Sequence, residues 1–245
     1  MTYTPLFIHE EHRAGRWLIT CDHATNVVPP QVGGGTLGLA REDMERHIAY
    51  DVGAYSLAQH LGVLLDSPVI ASNFSRLVVD PNRGEDDPTI LMKLYDGSVI
   101  PGNRSADAAE TARRMDLAYR PYHRAYARMA ARPGAVILAI HSFTRQLRGH
   151  APRPWEVGVL YAGDDRLARP LLARLNAPGD MVVGDNQPYA GHLPGDAIDK
   201  HALAFGRPNV LIELRNDLIA GHHGQEAWAA RLAPLLTQAL QESGV

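Results

Sequence analysis

The sequence predicts an α/β domain that spans residues 1–245, with helices on both faces of a largely parallel sheet. Two observations lead to this prediction. Short apolar runs alternate with helix-length amphipathic segments, which is the pattern of an α/β fold. Most of these runs are nearly all apolar, as expected for strands that are covered on both faces. No internal repeat, low-complexity tract or linker divides the chain.

The predicted elements follow from this alternation. The strands cover residues 16–21, 68–71, 76–79, 135–140, 157–161, 181–183 and 209–214. The helices cover residues 41–61, 106–131, 165–175, 196–204 and 225–241, and Pro121 should bend or split the second of them. The irregular stretch 81–104 is long for a connection without structure of its own, and such loops often act as lids or binding loops.

The composition restricts the partners. A formal net charge of -3 and a pI near 6.4 argue against a general nucleic-acid binder. No apolar stretch approaches the ~20 residues of a membrane helix, and the N-terminus lacks the cationic start and long apolar run of a secretory signal. The single cysteine, Cys21, forms no intramolecular disulfide and is expected to be an inert core thiol. We expect a cytoplasmic protein with a small-molecule partner, and the sequence predicts no oligomeric state.

Polar residues follow two apolar strands directly. Asp22 and His23 follow the strand 16–21, and His141 follows the strand 135–140. If these strands are parallel neighbours, both imidazoles reach the same edge of the sheet, where ligands bind in open α/β folds. The pair in this context favours a shared metal ion such as zinc over two histidines that cap loops, although no HxxH or HExxH motif is present.

The third metal ligand stays open at this point, because a catalytic zinc ion usually has three protein ligands. Asp51, in HIAYDVGAY, would lie on the first predicted helix, and its alternative is a solvated or capping aspartate. Asp22 and His47 are rivals. Asp22 could instead orient a histidine from behind, as carboxylates near metal sites often do.

The segment SRLVVDPNR, residues 75–83, places an arginine near each end of a short predicted strand. Arg76 and Arg83 carry planar guanidinium groups that match carboxylates bidentately. One could clamp a carboxylate of an anionic substrate, and the other could polarise a scissile carbonyl. Spacing alone favours the alternative, which is surface ion pairing with the acidic run at 85–87.

Glu213 lies inside the apolar strand 209–214. A buried glutamate is costly unless it has a partner or faces an opening. Arg215 follows two residues later on the same face of the strand and could be that partner. Glu213 could also be a general base whose pKa is tuned by its surroundings, and the two roles are compatible.

The helical segment YRPYHRAY, residues 119–126, concentrates aromatic side chains. Its tyrosines are expected to pack in the core. For His123 the sequence leaves two roles open, namely packing or a hydrogen bond to a substrate.

Taken together, these residues resemble the N-formylglutamate amidohydrolase family. Seven segments carry the resemblance in order along most of the chain: DHATNVVP, HIAYDVGA, SRLVVDPNR, RPYH, IHSF, GDNQPY and IELRNDLI. The resemblance implies a three-layer α/β/α fold with a mixed, largely parallel sheet, related to zinc carboxypeptidases and aspartoacylases. Such relatives use metal-bound water, a glutamate general base on a late strand, and arginines for the oxyanion and the substrate carboxylate.

Carried over to this sequence, the resemblance implies a role for each candidate on the metal side of the site. His23 and His141 match the histidine ligands of a divalent metal ion, with Zn²⁺ as the first choice. Glu213 matches the general base, and Arg76 resembles the oxyanion arginine. The carboxypeptidase-like relatives have a glutamate ligand in an HxxE motif, where this chain has Asn26, so Asp51 is the expected substitute.

The resemblance also implies the substrate-binding residues. Asn82 and Arg83 resemble the Asn-Arg pair that grips a substrate carboxylate. The remaining substrate-binding candidates are His123, Asn186, Tyr189 and Arg215.

The sequence therefore predicts a metal-dependent amidohydrolase of an N-acyl acidic amino acid. N-formyl-L-glutamate, giving formate and L-glutamate in amino-acid catabolism such as histidine degradation, is the leading substrate. One alternative is a hydrolase of the same fold that acts on another N-acyl amino acid or a small peptide. The other is a catalytically silent protein that binds an acidic metabolite; the missing HxxE glutamate favours it, and the presence of Glu213 argues against it.

Overall fold

A seven-stranded sheet forms the centre of the computed structural model, which describes residues 3–191 and 193–245. The strands in the described residues are β1 (Leu6–His9), β2 (Trp17–Cys21), β3 (Val69–Ser72), β4 (Leu94–Tyr95), β5 (Ser98–Val99), β6 (Val136–Phe143), β7 (Val157–Leu160), β8 (Val183–Asp185) and β9 (Asn209–Arg215). Strands β4 and β5 form a separate hairpin, and the others form the sheet in the order β1-β3-β2-β6-β9-β7-β8.

The sheet is mixed and mostly parallel, as predicted. Strands β3, β2, β6 and β9 are parallel neighbours. The edge strand β1, which the sequence did not predict, pairs antiparallel with β3. At the other side β7 runs antiparallel to β9, and β8 runs parallel to β7. Because β2 and β6 are adjacent and parallel, the residues at their carboxyl ends meet at one edge, as expected.

Helices cover both faces and give the predicted three layers. They are α1 (Arg41–Met44), α2 (Ala54–Leu64), α3 (Ala108–Arg114), α4 (Arg120–Ala130), α5 (Ala168–Asn176), α6 (Ala197–His201) and α7 (His222–Glu242). Along β6, Val136 and Leu138 join the core under α2, α5 and α7, while Ile137 joins the core under α4. This alternation follows from the two-residue period of a strand. None of the described helices combines the length and the hydropathy of a membrane span.

The predicted helix at 41–61 is wrong in its middle. Helix α1 ends at Met44 and α2 begins at Ala54, so Asp51 lies in the connecting segment and not on a helix. Tertiary hydrogen bonds replace the helical ones there: the carbonyl oxygen of Ala49 accepts from Ser75 Oγ at 2.8 Å and from the Arg76 amide at 3.2 Å. A strong helical pattern is thus overridden by contacts with a distant loop.

The predicted strand at 76–79 is also wrong. The Val78 amide donates to the carbonyl of Ser75 at 2.8 Å, so the segment turns and does not pair with the sheet. Its apolar side chains, Leu77 to Val79, are fully buried in the core under α4. An apolar run of this length is compatible with either state, and burial alone accounts for it.

The other elements differ from prediction in detail. As expected for Pro121, the helix predicted at 106–131 is interrupted: a π-helical turn, Met115–Tyr119, separates α3 from α4. The strand predicted at 181–183 is shifted: β8 starts at Val183 and ends at Asp185. The stretch 81–104 contains the β4–β5 hairpin and a 3₁₀ turn, Pro101–Asn103. Its function as a lid stays a prediction.

Candidate metal centre and active site

Three predicted metal ligands lie together at the carboxyl edge of the sheet. His23 follows β2, His141 lies near the end of β6, and Asp51 precedes α2; all three are buried. Their ligand atoms lie within 4.8 Å of one another. Asp51 Oδ2 lies 2.8 Å from Nδ1 of His141 and 3.3 Å from Nδ1 of His23. The described chain thus contains a buried His-Asp-His cluster that could hold a metal ion.

The backbone fixes Asp51 between the two strand ends. Its amide donates to the carbonyl of His23 at 2.9 Å, and its carbonyl accepts from the amide of Ala54 at 3.1 Å. On the other side, Ser142 Oγ donates to the carbonyl of Val52 at 2.8 Å. Asp51 is therefore held at the entrance to α2 by both neighbouring strands, which no local pattern in its own segment indicates.

A carboxylate lies behind each imidazole. Nε2 of His23 lies 2.7 Å from Asp80 Oδ1, and Nε2 of His141 lies 3.4 Å from Asp22 Oδ2. Because a carboxylate accepts, the short contact with Asp80 favours a proton on Nε2 of His23 and leaves its Nδ1 as a lone-pair donor. Nε2 of His141 makes only the longer ion-pair contact with Asp22, and its Nδ1 makes the short contact with Asp51. Such outer partners are typical of metal-binding histidines.

Asp22 takes the expected orienting position behind a histidine, but that histidine is His141, and the position behind His23 belongs to Asp80. Asp22 lies behind His141, and Tyr122 fixes it by donating from its hydroxyl to Asp22 Oδ1 at 2.6 Å. Asn26 turns away and donates from Nδ2 to the carbonyl of Met44 at 2.9 Å. β2 ends at Cys21, and in the turn that follows it Asp22 and His23 contact different partners.

The charges around the cluster fit a divalent cation. Burial disfavours ionisation of Asp22, Asp51 and Asp80, but their partners outweigh it and hold the pKa of each carboxyl below its usual value. The buried guanidinium of Arg76, whose pKa is raised, lies among them. The contacts with Asp22 and Asp51 also raise the pKa of the His141 imidazole well above its usual value, although burial opposes this. A proton on His141 balances part of the negative charge, and a divalent cation held by these side chains would take the place of that proton.

Glu213 lies directly beside the cluster. It is the register partner of His141 in the parallel β6–β9 pair, so the two side chains share one face of the sheet. Its Oε2 is buried without a hydrogen-bond partner in the described chain. Burial raises the pKa of Glu213 to about 7, and the attraction of His141 only partly opposes this. A carboxyl that titrates near neutrality suits a general base.

The expected ion pair between Glu213 and Arg215 is not formed between these described residues. Nε of Arg215 donates to Asp217 Oδ1 at 2.8 Å, and its Nη1 approaches the carbonyl of Trp155 at 3.4 Å. On the other side of Glu213, β7 presents Gly158. A Cβ at that position would lie 2.0 Å from the carbonyl oxygen of Gln187, so glycine lets the next loop cross close to Glu213.

Arg76 is held at the edge of the cluster. It donates to Asp80 Oδ2 from Nε at 3.1 Å and from Nη2 at 2.7 Å, and its Nη1 lies 3.8 Å from Asp51 Oδ1. Its guanidinium carbon lies 5.3 Å from the ring centre of Tyr95 in the hairpin. The expected ion pairing of Arg76 with the run at 85–87 is replaced by these buried contacts.

A cavity of about 220 Å³ opens onto the cluster. Besides the metal-binding candidates, Arg76, Asn82, Arg83, Tyr189 and Glu213 line it. Further lining side chains that the sequence did not single out include Tyr95, Phe143, Thr144, Leu160, Leu193 and Leu211. The cavity thus combines the predicted catalytic groups with an apolar wall.

Three predicted substrate-binding residues do not line this cavity. Arg215 points to Asp217, and Asn186 accepts the amide of Tyr161 on its Oδ1 at 2.9 Å. His123 lies in the core, where its Nε2 is 2.9 Å from the carbonyl of Pro81. His123 therefore contacts the backbone of the loop that carries Asn82 and Arg83.

The sequence did not single out two groups that hold the site, Asp80 and Tyr122. Asp80 follows the apolar run LVV within SRLVVDPNR, so a carboxylate at the end of a buried segment was the signal available. Tyr122 was expected to pack, and its ring does so against Phe74 at 6.4 Å. Its hydroxyl contact with Asp22 joins residues 100 positions apart, which no local pattern reveals.

Known proteins support the assignment of this site to one family. The model of a family described as N-formylglutamate amidohydrolase matches residues 15–220. The chain is 27% identical over 248 residues to N-formylglutamate deformylase from Pseudomonas aeruginosa, which covers 92% of this chain and 90% of that protein.

Solved structures agree. The crystal structure of a gene product from Agrobacterium tumefaciens is 33% identical, with a TM-score of 0.91, and covers 98% of this chain and 96% of that one. The fold is also that of N-formylglutamate amidohydrolase from Ralstonia eutropha JMP134, which is 20% identical with a TM-score of 0.74 over 98% of this chain and 99% of that one. Since the family model covers most of the chain and includes every residue of the cluster and Glu213, this chain belongs to the N-formylglutamate amidohydrolase family.

Proposed function

We propose that the protein is a metal-dependent hydrolase that cleaves the linear amide of an N-acyl acidic amino acid, with N-formyl-L-glutamate as the leading substrate. The observation that carries the proposal is the placement of Glu213, a carboxyl with a pKa near 7, beside the buried His-Asp-His cluster. The 27% identity to a deformylase named for that substrate supports the choice of the acyl amino acid.

His23, Asp51 and His141 would hold the metal ion, and Zn²⁺ fits two imidazoles and one carboxylate. When bound, such an ion lowers the pKa of a coordinated water toward ~7 and polarises a carbonyl group. The protein contributes a carboxylate behind each imidazole: Asp80 favours the Nε2–H tautomer of His23, and Asp22 lies beside Nε2 of His141. These contacts keep the Nδ1 atoms aimed at one point, so little reorganisation is needed on binding.

Glu213 would act on protons in both halves of the reaction. Its Oε2 has no partner in the described chain, so it is free to accept a proton from the attacking water. The same carboxyl would then pass the proton to the departing amine, so that the C–N bond breaks as the N–H bond forms. Burial, which raises the pKa of this carboxyl, favours its return of the proton to the amine.

Arg76 would stabilise the oxyanion of the tetrahedral intermediate. Asp80 holds its guanidinium through two donated hydrogen bonds, which fixes the direction of the remaining N–H groups. Removing one donor to an oxyanion typically costs about 10²–10³ in rate.

Arg83 would bind a substrate carboxylate. It lines the cavity, and its polar contacts are to neutral groups: Nε to Thr89 Oγ1 at 3.1 Å and Nη1 to the carbonyl of Asn82 at 2.7 Å. Its charge is therefore available to an anion, whereas that of Arg76 is paired. A volume of about 220 Å³ is below the ~300–1,000 Å³ of drug-sized pockets and suits a small acyl amino acid.

The test is release of the free amino acid by zinc-loaded protein from N-formyl-L-glutamate, N-acetyl-L-glutamate, N-acetyl-L-aspartate and N-formyl-L-methionine, with formate measured as the second product of the two formyl compounds. We expect turnover of the formylglutamate to exceed that of the others. We expect Glu213→Gln to lower kcat by about 10²–10⁴ with unchanged metal content. Arg83→Met should mainly raise KM for the acidic substrates.

If the protein prefers one of the acetylated compounds, the proposed mechanism stands, but the acyl group of the substrate is acetyl and not formyl. If N-formyl-L-methionine, which lacks a side-chain carboxylate, is turned over as fast as N-formyl-L-glutamate, the proposed role of Arg83 is contradicted. If none is hydrolysed while N-formyl-L-glutamate still binds, and binding survives in Glu213→Gln, the protein binds this metabolite without catalysis and the proposal fails.

A further inference from the structure

A second group of metal-binding side chains lies on the surface, between α2 and α7. His60 on α2 faces His222 and Glu226 at the start of α7, and one ligand atom of each lies within 4.8 Å of the others. Nε2 of His222 lies 3.3 Å from Glu226 Oε1, and the ring centres of the two histidines are 5.4 Å apart. We propose that His60, His222 and Glu226 form a second transition-metal site, which ties α2 to α7.

The three side chains are accessible to solvent and make few other polar contacts in the described chain. The side chains of His222 and Glu226 are 73% and 55% exposed, and His60 is half-buried. In the part of the chain that the structure describes, neither imidazole donates to or accepts from another group except for the His222–Glu226 contact. An ion can therefore arrive from solvent, and water can complete its coordination.

The backbone that carries these donors is fixed. A Cβ on Gly224 would lie 2.1 Å from the carbonyl oxygen of Leu218, so the first turn of α7 packs tightly against the preceding loop. Gln225 also donates from Nε2 to the carbonyl of Ile219 at 3.0 Å. A Cβ on Gly53 would lie 2.0 Å from that same carbonyl oxygen, so the start of α2 is held at the same point. The site would therefore bridge two helices whose relative position is already set.

The donor set selects the kind of ion. Two imidazoles with one carboxylate suit Zn²⁺, Co²⁺, Ni²⁺ or Cu²⁺, whereas Mg²⁺ and Ca²⁺ prefer oxygen ligands. His222 and Glu226 are four residues apart on one helix and could form a simple ion pair. His60 adds nothing to such a pair, so its contribution distinguishes a metal site from a surface ion pair.

The test is zinc binding by the full-length protein, measured as bound Zn²⁺ per chain after equilibrium dialysis and as the shift of the thermal midpoint with added ZnCl₂. The variants are His60→Ala and His222→Ala, with the neighbouring exposed His223→Ala as the matched control. Wild type and His223→Ala are expected to bind one equivalent more than the two cluster variants. Zinc affinity of this site should fall by at least about tenfold in each cluster variant.

The thermal midpoint should rise with ZnCl₂ by more in wild type than in the two cluster variants, since an ion that binds only the folded chain stabilises it. MgCl₂ should give no such difference. The circular-dichroism spectrum without added metal serves as a folding check and should be equal in all four proteins. Because each result is a difference from wild type, it does not depend on the buried cluster or on the proposed substrate. Unchanged zinc stoichiometry and midpoint shift in His60→Ala would overturn the proposal.

Discussion

Two clusters in this molecule offer the same donors, two imidazoles and one carboxylate, in different surroundings. The first, His23 with Asp51 and His141, is buried at the ends of strands. The second, His60 with His222 and Glu226, is largely exposed on two helices. The buried imidazoles each have a carboxylate behind them, at 2.7 Å and 3.4 Å, and in the described chain the exposed ones have none.

Because the two clusters offer the same ligands, their different surroundings indicate what the proposed catalytic site has in addition to its ligands. Outer carboxylates fix tautomer and orientation, and burial strengthens each electrostatic interaction. The buried cluster also adjoins Glu213 and a cavity, which are the base and the substrate pocket of the proposed function. The exposed cluster has ligands alone, and we expect it to affect stability but not chemistry.

The largest expected difference in activity is between two variants that each remove one histidine, one from the buried cluster and one from the exposed cluster. His141→Ala is expected to reduce hydrolysis of N-formyl-L-glutamate to background and to release the ion of the buried cluster, because a catalytic ion needs its protein ligands. His222→Ala should leave hydrolysis unchanged. Activity and metal content of both variants, measured side by side, check this. Full activity in His141→Ala would remove the buried cluster from the mechanism.

A smaller effect should follow from changing the group behind one imidazole. Asp22→Asn keeps the shape of the side chain but removes the anion next to Nε2 of His141. Zinc affinity of the buried cluster should fall by about 10–100-fold, as is typical for such outer partners. Competition with a chelator of known affinity measures it, and the exposed cluster, which lies apart from Asp22, is the internal reference. Equal affinity in variant and wild type would show that Asp22 has no such role.

The smallest expected effect is on the pH dependence of stability, and it involves two buried histidines, His123 and His201, that have no carboxylate behind them in the described chain. His123 Nδ1 lies 2.8 Å from His201 Nε2, and the Pro81 carbonyl accepts from His123 Nε2, so the two rings share one proton between Nδ1 and Nε2 and cannot both be cations. Burial lowers the pKa of His123 to about 3 and that of His201 to about 4, from the model-peptide value of 6.5. The unfolded chain therefore binds more protons between pH 6.5 and 4, so this stability is fully present above pH 6.5 and is lost as the pH falls toward 4.

His201→Gln should weaken that dependence. We expect the slope of the unfolding free energy against pH, between 6.5 and 4.5, to be smaller by up to about 1.4 kcal/mol per pH unit. Urea unfolding at a series of pH values measures the slope, and the difference at pH 8 isolates the loss of packing. A variant with the wild-type slope would contradict neutral burial of His201.

Much of the fold was predictable because its signals are local. The strands at β2, β6 and β9 are continuous apolar runs, and the positions of His23 and His141 after or near the ends of such runs predicted their meeting. Segments 41–61 and 76–79 were misassigned because their backbone hydrogen bonds join each other, through the carbonyl of Ala49, and not their own neighbours. Local periodicity carries no information about such bonds.

By itself, the sequence determined the α/β class and singled out the two histidines and the buried glutamate, since each follows from residue type and its place in an apolar pattern. The two arginines that line the cavity were selected only by the family resemblance, because spacing alone favoured surface ion pairs. Tertiary structure alone decided which carboxylate stands behind which imidazole, that Arg76 pairs with Asp80 while Arg215 pairs with Asp217, and that His60 meets α7. Most of those pairings join residues that are distant in the chain, and Arg76 and Arg215 each pair with a near neighbour and not with another charged group that the sequence also offered. The physical reason is that charge, burial and direction at such points depend on the packing of whole elements, which no short segment encodes.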